Sequence, residues 1–508
     1  MKRLHSTTKQ VAYIILGLAI FVLVVNMPLP QPMRVGTEQV MLTQSGRMCL
    51  ALLLLAIIYW ITEVLPFHIT AVAIMLLMPV LGVTDGLSVI RHGEIVRIQG
   101  IAAGYKEIVR MSFGNDLILF FLGVFLLSGA FTETSLGKRL TLWMLRLMGT
   151  STKMVILGFL TLGTVLSMWI SDVGVAAMLL PVSVGILKNA GVKPLKSNFG
   201  KALMIASCWG PGFGGIATPA GSGPNPVAIS FMRDLCGVNI SFLDWMKIGV
   251  PASLMLIPFG WALLMLIFPP EIKRIPITKD TIKTQLVELG QLSRREKSTM
   301  IVFGIVIVLW IFNPFIRAIT GGHINLPISM VSILGGMLLF MPPFNVMSWE
   351  RASRHISWES IILIMASLGL GMMTYYTGAA RWLSLTFLGG VKSFSPVVLI
   401  FAVIASVTIL KIFLASNTVT GIVIIPILIS LAQLFSMDPW ILVCPAALTS
   451  SLGFILVTQT PTNIIPYTAG YFSIRDFAKV GVIMSIIISV MLTLVIALLG
   501  PLTGVYAY

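Results

Sequence analysis

The chain has 508 residues, of which 57% are hydrophobic and only 10% are charged, and its formal net charge at pH 7 is +16. Soluble domains carry about 25% charged residues, so this composition excludes a chain folded entirely in water. The mean hydropathy of +0.98 indicates a multi-pass membrane protein. The sequence holds no HExxH or paired-carboxylate pattern, and we do not expect a membrane-embedded enzyme.

Apolar runs recur along the whole chain, and we interpret them as membrane segments. The first, Val11–Leu29, precedes no A-x-A-like cleavage site and is predicted to be a span. Several others are shorter than the ~20 residues that a span needs, as expected for re-entrant hairpins and broken helices. These later runs are Met48–Ile61, Ile69–Leu81, Leu117–Ala130, Val155–Ile170, Ala202–Pro211, Ile248–Phe268, Met300–Phe312, Leu326–Met341, Ile361–Met373, Pro396–Leu414, Ile422–Leu434, Leu442–Val457 and Val480–Leu499.

The basic residues predict how the chain is oriented. With the amino terminus in the cytoplasm, about two thirds of the 34 lysines and arginines fall on the cytoplasmic side, as the positive-inside rule requires. We therefore interpret the positive charge as a topology signal and expect no nucleic-acid partner. An odd number of crossings, about eleven, then places the carboxyl terminus outside the cell membrane.

Three elements recur in the same order in the two halves. A long apolar stretch is followed by a small polar triplet inside a second apolar segment, and then by a stretch interrupted by glycine and proline. The triplets are Ser171-Asp172-Val173 and Ser416-Asn417-Thr418, about half the chain apart. Because the termini lie on opposite sides, we predict inverted-topology repeats with each triplet at the tip of a re-entrant hairpin.

The repeat predicts the domain organisation of an all-α multi-pass membrane protein, with about eleven transmembrane helices and two re-entrant hairpins. The predicted divisions are 1–47, an amino-terminal span and outer loop; 48–270, the first repeat, with its tip at 171–173 and a broken helix at 202–231; 271–298, a cytoplasmic linker; and 299–508, the second repeat, with its tip at 416–418 and a broken helix at 442–472.

Polar groups at membrane depth persist mainly where they line a protein cavity. Half-helix amino termini attract anions and unwound carbonyls attract cations. The paired triplets and broken helices therefore predict a midplane site for an anion and a cation, typical of a secondary transporter.

The motifs resemble those of the divalent anion:sodium symporter family, which carries di- and tricarboxylates or sulfate. The resemblance covers essentially the whole chain and implies a homodimeric, elevator-type carrier surrounded by membrane lipid, without a cofactor but with sodium or a proton as a possible coupling ion. The motifs that carry it are WITEVLPFHIT (Trp60–Thr70), the two triplets, GSGPN (Gly221–Asn225), FLDWMKIGVP (Phe242–Pro251) and TPTN (Thr460–Asn463).

The resemblance also implies which residues form the site. The substrate-facing set is Ser171, Asp172, Gly221, Ser222, Ser416, Asn417, Thr418, Thr460 and Pro461. A first cation site, where sodium is possible, comprises Ser167, Ser171, Asp172 and the Gly221 carbonyl. A second comprises Ala415, Asn417, the Gln459 carbonyl and a hydroxyl four residues before Ser416.

The sequence departs from the family pattern around both tips. Asp172 replaces an amide and Val173 a threonine, while Ile412 stands where the second cation site needs a hydroxyl. The neighbouring Lys411 is a coupling candidate, because an ionisable residue at membrane depth is a functional candidate by default. We hypothesise that Lys411 supplies a fixed charge in place of a second sodium ion.

Several roles remain open for the two charged residues. Asp172 could ligate a cation, carry a proton or pair with Lys411, and it could also serve as a helix N-cap. Lys411 could instead extend along its hairpin to the membrane interface. An ionised Asp172 would repel a substrate carboxylate but bind a cation better than an amide does.

The sequence thus predicts secondary active transport of a small organic di- or tricarboxylate, by sodium or proton symport or by anion exchange. The alternatives are a carrier of sulfate or another inorganic anion and a passive anion channel or uniporter.

Overall fold

The computed structural model describes residues 7–35, 38–91, 94–276, 279–388 and 394–502, and most of them are helical. Four helices and two antiparallel β-hairpins precede the repeated part of the chain. The helices are α1 (Thr7–Asn26), α2 (Gln44–Thr62), α3 (Phe67–Val80) and α4 (Ile101–Ser112). The hairpins pair β1 (Met33–Val35) with β2 (Glu38–Val40) and β3 (Ser88–Arg91) with β4 (Glu94–Arg97).

Seven helices follow in the first half. They are α5 (Leu117–Glu133), α6 (Leu136–Met148), α7 (Thr152–Ser167), α8 (Asp172–Asn189), α9 (Asn198–Gly215), α10 (Pro224–Cys236) and α11 (Phe242–Ile267). A connecting group comes next: α12 (Lys279–Glu288), α13 (Arg294–Ile319), α14 (Ile328–Leu338) and α15 (Trp349–Ala352). Serine capping boxes fix the starts of α11 and α13, at Ser241 and Ser293.

The second half contains the same sequence of elements. They are α16 (Trp358–Tyr376), α17 (Ala379–Leu388), α18 (Pro396–Phe413), α19 (Asn417–Leu434), α20 (Trp440–Ser450), α21 (Pro461–Tyr467) and α22 (Ile474–Leu502). In each set a long helix is followed by a short one, a helical hairpin, a helix interrupted by a loop and a final long helix. The repeat seen in three sequence motifs therefore extends over seven helices.

Within the described ranges, ten helices are long and apolar enough to cross a membrane, and shorter apolar helices accompany them. This confirms the predicted all-α multi-pass membrane class. The helices of each hairpin are separated only by a short turn, 168–171 between α7 and α8 and 414–416 between α18 and α19.

The two halves pack in a crossed arrangement. The α10 helix of the first half packs against α19, the second arm of the other hairpin, and α21 packs against α8. The main cluster of buried apolar side chains draws on helices from both halves. Each interrupted helix therefore supports the hairpin of the opposite half, and the two hairpin turns meet in the interior.

Candidate functional site

The first tip, Ser171 and Asp172, lies where α8 begins. Ser171 is the N-cap residue and Asp172 is the first helical residue, so the hypothesis that Asp172 is the N-cap is wrong. The carboxylate still accepts a hydrogen bond from the backbone N–H of Val173, at 2.8 Å. The backbone N–H of Asp172 donates to the Gly221 carbonyl at 3.2 Å, which fixes the tip against the loop that follows α9.

That loop, residues 216–223, is held by side-chain hydrogen bonds. The Asn225 amide donates to the carbonyls of Gly215 and Thr218, both at 2.7 Å. The Thr218 hydroxyl donates to the Met168 carbonyl at 2.5 Å. A Cβ on Gly221 would lie 2.7 Å from both the Ser167 and the Gly215 carbonyl oxygens, so only glycine permits this approach of backbone to tip.

Two hydroxyls beside the first tip have no hydrogen-bond partner among the described residues. They belong to Ser167 and Ser222, both of which are buried. A Cβ built on Gly215 would lie 3.4 Å from the Ser222 Cβ and 3.6 Å from Asp172 Oδ2, so Ser222 and Asp172 both lie beside the backbone of Gly215. Leaving a buried hydroxyl unpaired costs about 1–3 kcal/mol. A cluster of hydroxyl, carboxylate and carbonyl oxygens has the chemistry that binds a hard cation.

The second tip, Ser416 and Asn417, begins α19. The Ser416 hydroxyl caps the helix by accepting from the Val419 N–H at 3.4 Å. The Lys411 side chain has no exposed surface, so it does not extend to the membrane interface as one interpretation allowed. Its ammonium donates to the Asn417 side-chain oxygen. The ammonium is therefore held inside the protein by the tip of its own hairpin.

Asn417 connects the two tips. Its amide nitrogen donates to Asp172 Oδ2 and to the Ser451 carbonyl, both at 3.4 Å. A buried cation, an amide and a buried carboxylate thus form one chain across the two halves. Because a buried charge is tolerated only with hydrogen bonds and a counter-charge, this chain accounts for Lys411 and Asp172 together.

Equivalent backbone positions beside the two tips have different neighbours. Asn463 donates to the Gly453 carbonyl at 2.5 Å, just as Asn225 donates to that of Gly215. A Cβ on Gly453 would lie 3.2 Å from the Lys411 ammonium nitrogen. The position that faces a carboxylate and a serine in the first half therefore faces an ammonium in the second half.

The other predicted residues lie around these tips. Thr418 lies against Gly223 of the first loop. Thr460 caps α21, which Pro461 begins, and its hydroxyl accepts from the Thr462 N–H at 3.4 Å. The Gln459 side-chain oxygen accepts the Ile455 and Leu456 N–H groups within its own loop. Ala415 lies in the turn before the second tip.

Three contributors were not predicted as site residues. Asn225 and Asn463 stand in the recurring GSGPN and TPTN motifs, so the repeat itself could have identified both. We call these two asparagines braces, because each donates a hydrogen bond to a glycine carbonyl beside its tip. The Ser451 carbonyl is a backbone atom, for which the sequence carries no signal.

A cavity of about 800 Å³ lies beside the first hairpin, between α5, α6 and α8. It extends along α8 as far as Gly174, two residues beyond Asp172, and its lining includes Ser128, Lys138 and His355. The cavity therefore extends to within one helical turn of the first tip.

The amino-acid sequence matches one family over nearly its whole length. The profile described as the sodium:sulfate symporter transmembrane region matches residues 8–505. Sodium-dependent dicarboxylate transporter SdcS of Staphylococcus saprophyticus is 30% identical over 480 residues, covering 91% of this chain and 87% of that protein. SdcS of Staphylococcus aureus strain MRSA252 is 28% identical over 518 residues, covering 99% of this chain and 93% of that protein.

Two solved structures share the fold. The YdaH transporter of Alcanivorax borkumensis gives a TM-score of 0.57 at 12% identity, covering 87% of this chain and 98% of that one. MtrF of Neisseria gonorrhoeae gives a TM-score of 0.55 at 12% identity, covering 86% and 94%. At these identities the likeness extends to the fold alone.

Proposed function

Because the chain belongs to the divalent anion:sodium symporter family, a family of secondary transporters, we propose that it carries a small organic di- or tricarboxylate across the cell membrane. The SdcS relatives are named as sodium-dependent dicarboxylate transporters, and this supports the choice of dicarboxylate over sulfate. The carrier works as a homodimer by an elevator movement of inverted repeats, with its amino terminus inside and its carboxyl terminus outside.

The two tips and two loops supply the groups that bind the substrate. Hydroxyls of Ser171, Ser416 and Thr418 and the start of α10 and α21 lie on neighbouring segments in the interior. Hydroxyls and helix amino termini donate hydrogen bonds to carboxylate oxygens. The substrate anion binds between the tips, next to the chain that joins Lys411 to Asp172.

The coupling proposal rests on the difference between Gly215 and Gly453. One sodium ion binds beside the first tip, where the Ser167 and Ser222 hydroxyls have no partner among the described residues and Asp172 offers a carboxylate. Beside the second tip the Lys411 ammonium takes the place of a second ion. A fixed charge is not released in each cycle, so the carrier couples transport to fewer sodium ions than a carrier with two ion sites.

The cavity along α8 supports access to the first tip from one side of the membrane in this conformation. Lys138 on its lining is positively charged and attracts an anion toward the tip.

Uptake of a labelled four-carbon dicarboxylate into proteoliposomes tests this proposal. We expect saturable uptake, a first-order dependence on external sodium and stimulation by unlabelled dicarboxylate inside the vesicles. Uptake of labelled sulfate in place of the dicarboxylate would overturn the substrate assignment. A steep, higher-order sodium dependence would overturn the role of Lys411, and ionic currents far above carrier turnover would replace the carrier with a channel.

A further inference from the structure

An apolar groove separates the amino-terminal helices from the second hairpin. It has a volume of about 640 Å³ and lies between α1 and α2 on one side and α17, α18 and α19 on the other. Its lining side chains are apolar apart from Arg47 and Ser406 and the ring nitrogen of Trp382. No carboxylate from the described ranges lines it. The groove is therefore suited to hydrocarbon and not to the transported anion.

Two hydrogen-bond donors in this groove lack a partner within the described part of the chain. They are the Nε of Arg47 and the ring N–H of Trp382, and both atoms are buried. Another guanidinium nitrogen of Arg47 donates to the Met27 carbonyl at 2.5 Å, which orients the side chain across the end of α1. A buried donor without an acceptor costs about 1–3 kcal/mol, so the pair indicates a ligand that supplies acceptor oxygens.

The two donors lie near the starts of α2 and α17, and these two helix starts are connected by a hydrogen bond. The Thr43 hydroxyl, at the N-cap of α2, donates to the Thr377 carbonyl just before α17, at 3.0 Å. Arg47 lies in the first turn of α2 and Trp382 in the first turn of α17. The first turn of α2 contains no acidic residue, so Arg47 and the positive end of the helix dipole favour an anion at the same place.

We propose that this groove binds one anionic phospholipid, with an acyl chain along the apolar walls and the phosphate oxygens accepting hydrogen bonds from Arg47 and Trp382. Arginine binds phosphate with paired N–H groups, and tryptophan is enriched at the level of lipid headgroups. An apolar groove whose lining includes these two donors matches the chemistry of a phospholipid better than that of a free phosphate ion.

The lipid contacts the hairpin that carries the second tip. Leu410, next to Lys411, lines the groove, as do Val423 and Ile427 of α19. The helices α1 and α2 form the opposite wall. A bound lipid therefore lies between the amino-terminal helices and the second hairpin, where it affects any movement of one relative to the other.

Lipid retention by the full chain tests the site directly, without reference to transport. The purified protein is exchanged into phosphatidylcholine with a small fraction of phosphatidylglycerol, and retained lipid is counted by native mass spectrometry. We expect Arg47→Gln to lower phosphatidylglycerol retention by about five-fold and Trp382→Phe by about two-fold. The matched control is Arg317→Gln, in the last turn of α13 and outside the groove lining, which should retain the native amount.

A groove-filling variant covers the case in which Arg47→Gln does not fold. Ser406 is exposed on the groove wall, and Ser406→Phe occupies the space while leaving both donors intact. We expect this variant to lose phosphatidylglycerol as well. Native retention by Arg47→Gln or by Ser406→Phe, or an equal loss in Arg317→Gln, would refute the site.

Discussion

The two hairpin tips share a backbone frame but hold opposite charges. In the first half, Asn225 braces Gly215 next to the Asp172 carboxylate, and in the second half Asn463 braces Gly453 next to the Lys411 ammonium. The asparagine hydrogen bond to the glycine carbonyl is therefore common to both halves, whereas the charged groups beside it differ. The two halves therefore share the support of the loop but place opposite charges beside it.

Removal of the Lys411 ammonium should have the largest effect of the changes at the two tips. In Lys411→Met the Asp172 carboxylate stays buried without its counter-charge, and breaking such a buried pair costs about 3–5 kcal/mol. We expect a large fall in the thermal unfolding temperature of the purified protein and loss of uptake.

The double variant Lys411→Met with Asp172→Asn is the control for that result, because it removes both charges and keeps the amide contact at Asn417. It should recover most of the lost stability. If the single and double variants were equally unstable, Lys411 and Asp172 would not stabilise each other.

The two braces should differ in strength. Asn225→Ala removes hydrogen bonds to two buried carbonyls, of which that of Thr218 keeps the Gly221 N–H as a donor, and should cost about 2–3 kcal/mol. Asn463→Ala removes one such bond, to the Gly453 carbonyl, and should cost about 1–2 kcal/mol. Denaturant or thermal unfolding of the purified variants measures the difference. A larger loss for Asn463→Ala would show that the second loop depends more on its brace.

Converting the acidic tip to an amide makes the two tips alike. Asp172→Asn removes the only carboxylate from the first cation cluster within the described structure, and we expect the half-saturating sodium concentration for uptake to rise about ten-fold. The variant also leaves the Lys411 ammonium without its counter-charge and should unfold at a lower temperature, so uptake is compared at a temperature where the variant is folded. An unchanged sodium requirement would mean that the carboxylate serves Lys411 alone.

The smallest effect is expected for a single hydroxyl. Ser167→Ala removes an oxygen that has no partner in the described part of the chain, so stability should hold while the half-saturating sodium concentration rises about three-fold. Ser253→Ala is the matched control, because Ser253 on α11 is also buried without a partner in the described ranges. Equal sodium responses in the two variants would argue against a cation at the first tip.

The membrane class and the repeat were predictable because apolar periodicity and motif order lie in the sequence itself. The triplets also pointed to both tips. The position of the Lys411 side chain was not predictable, since its flexible stem can reach either the interface or the interior. Only the fold shows that the Asn417 side-chain oxygen accepts from Lys411 while its side-chain nitrogen donates to Asp172.

Contacts between helices that are far apart in the sequence were also not predictable. No local pattern says that the start of α2 meets the start of α17, or that α10 packs on α19. Such contacts depend on how apolar faces of similar composition select their partners, and a buried helix that is apolar all round gives no direction for that choice.

The crossed packing has a consequence for how the protein is made. While the chain is being synthesised, α10 can pack on α5 but not on α19 until the second hairpin has been inserted, and α8 can pack on α9 but not yet on α21. Neither half completes its own tip alone, because the second arm of each hairpin packs against a helix of the other half. Fragments separated within the segment 279–288 would therefore be inactive alone and would recover uptake only when both are produced in the same membrane.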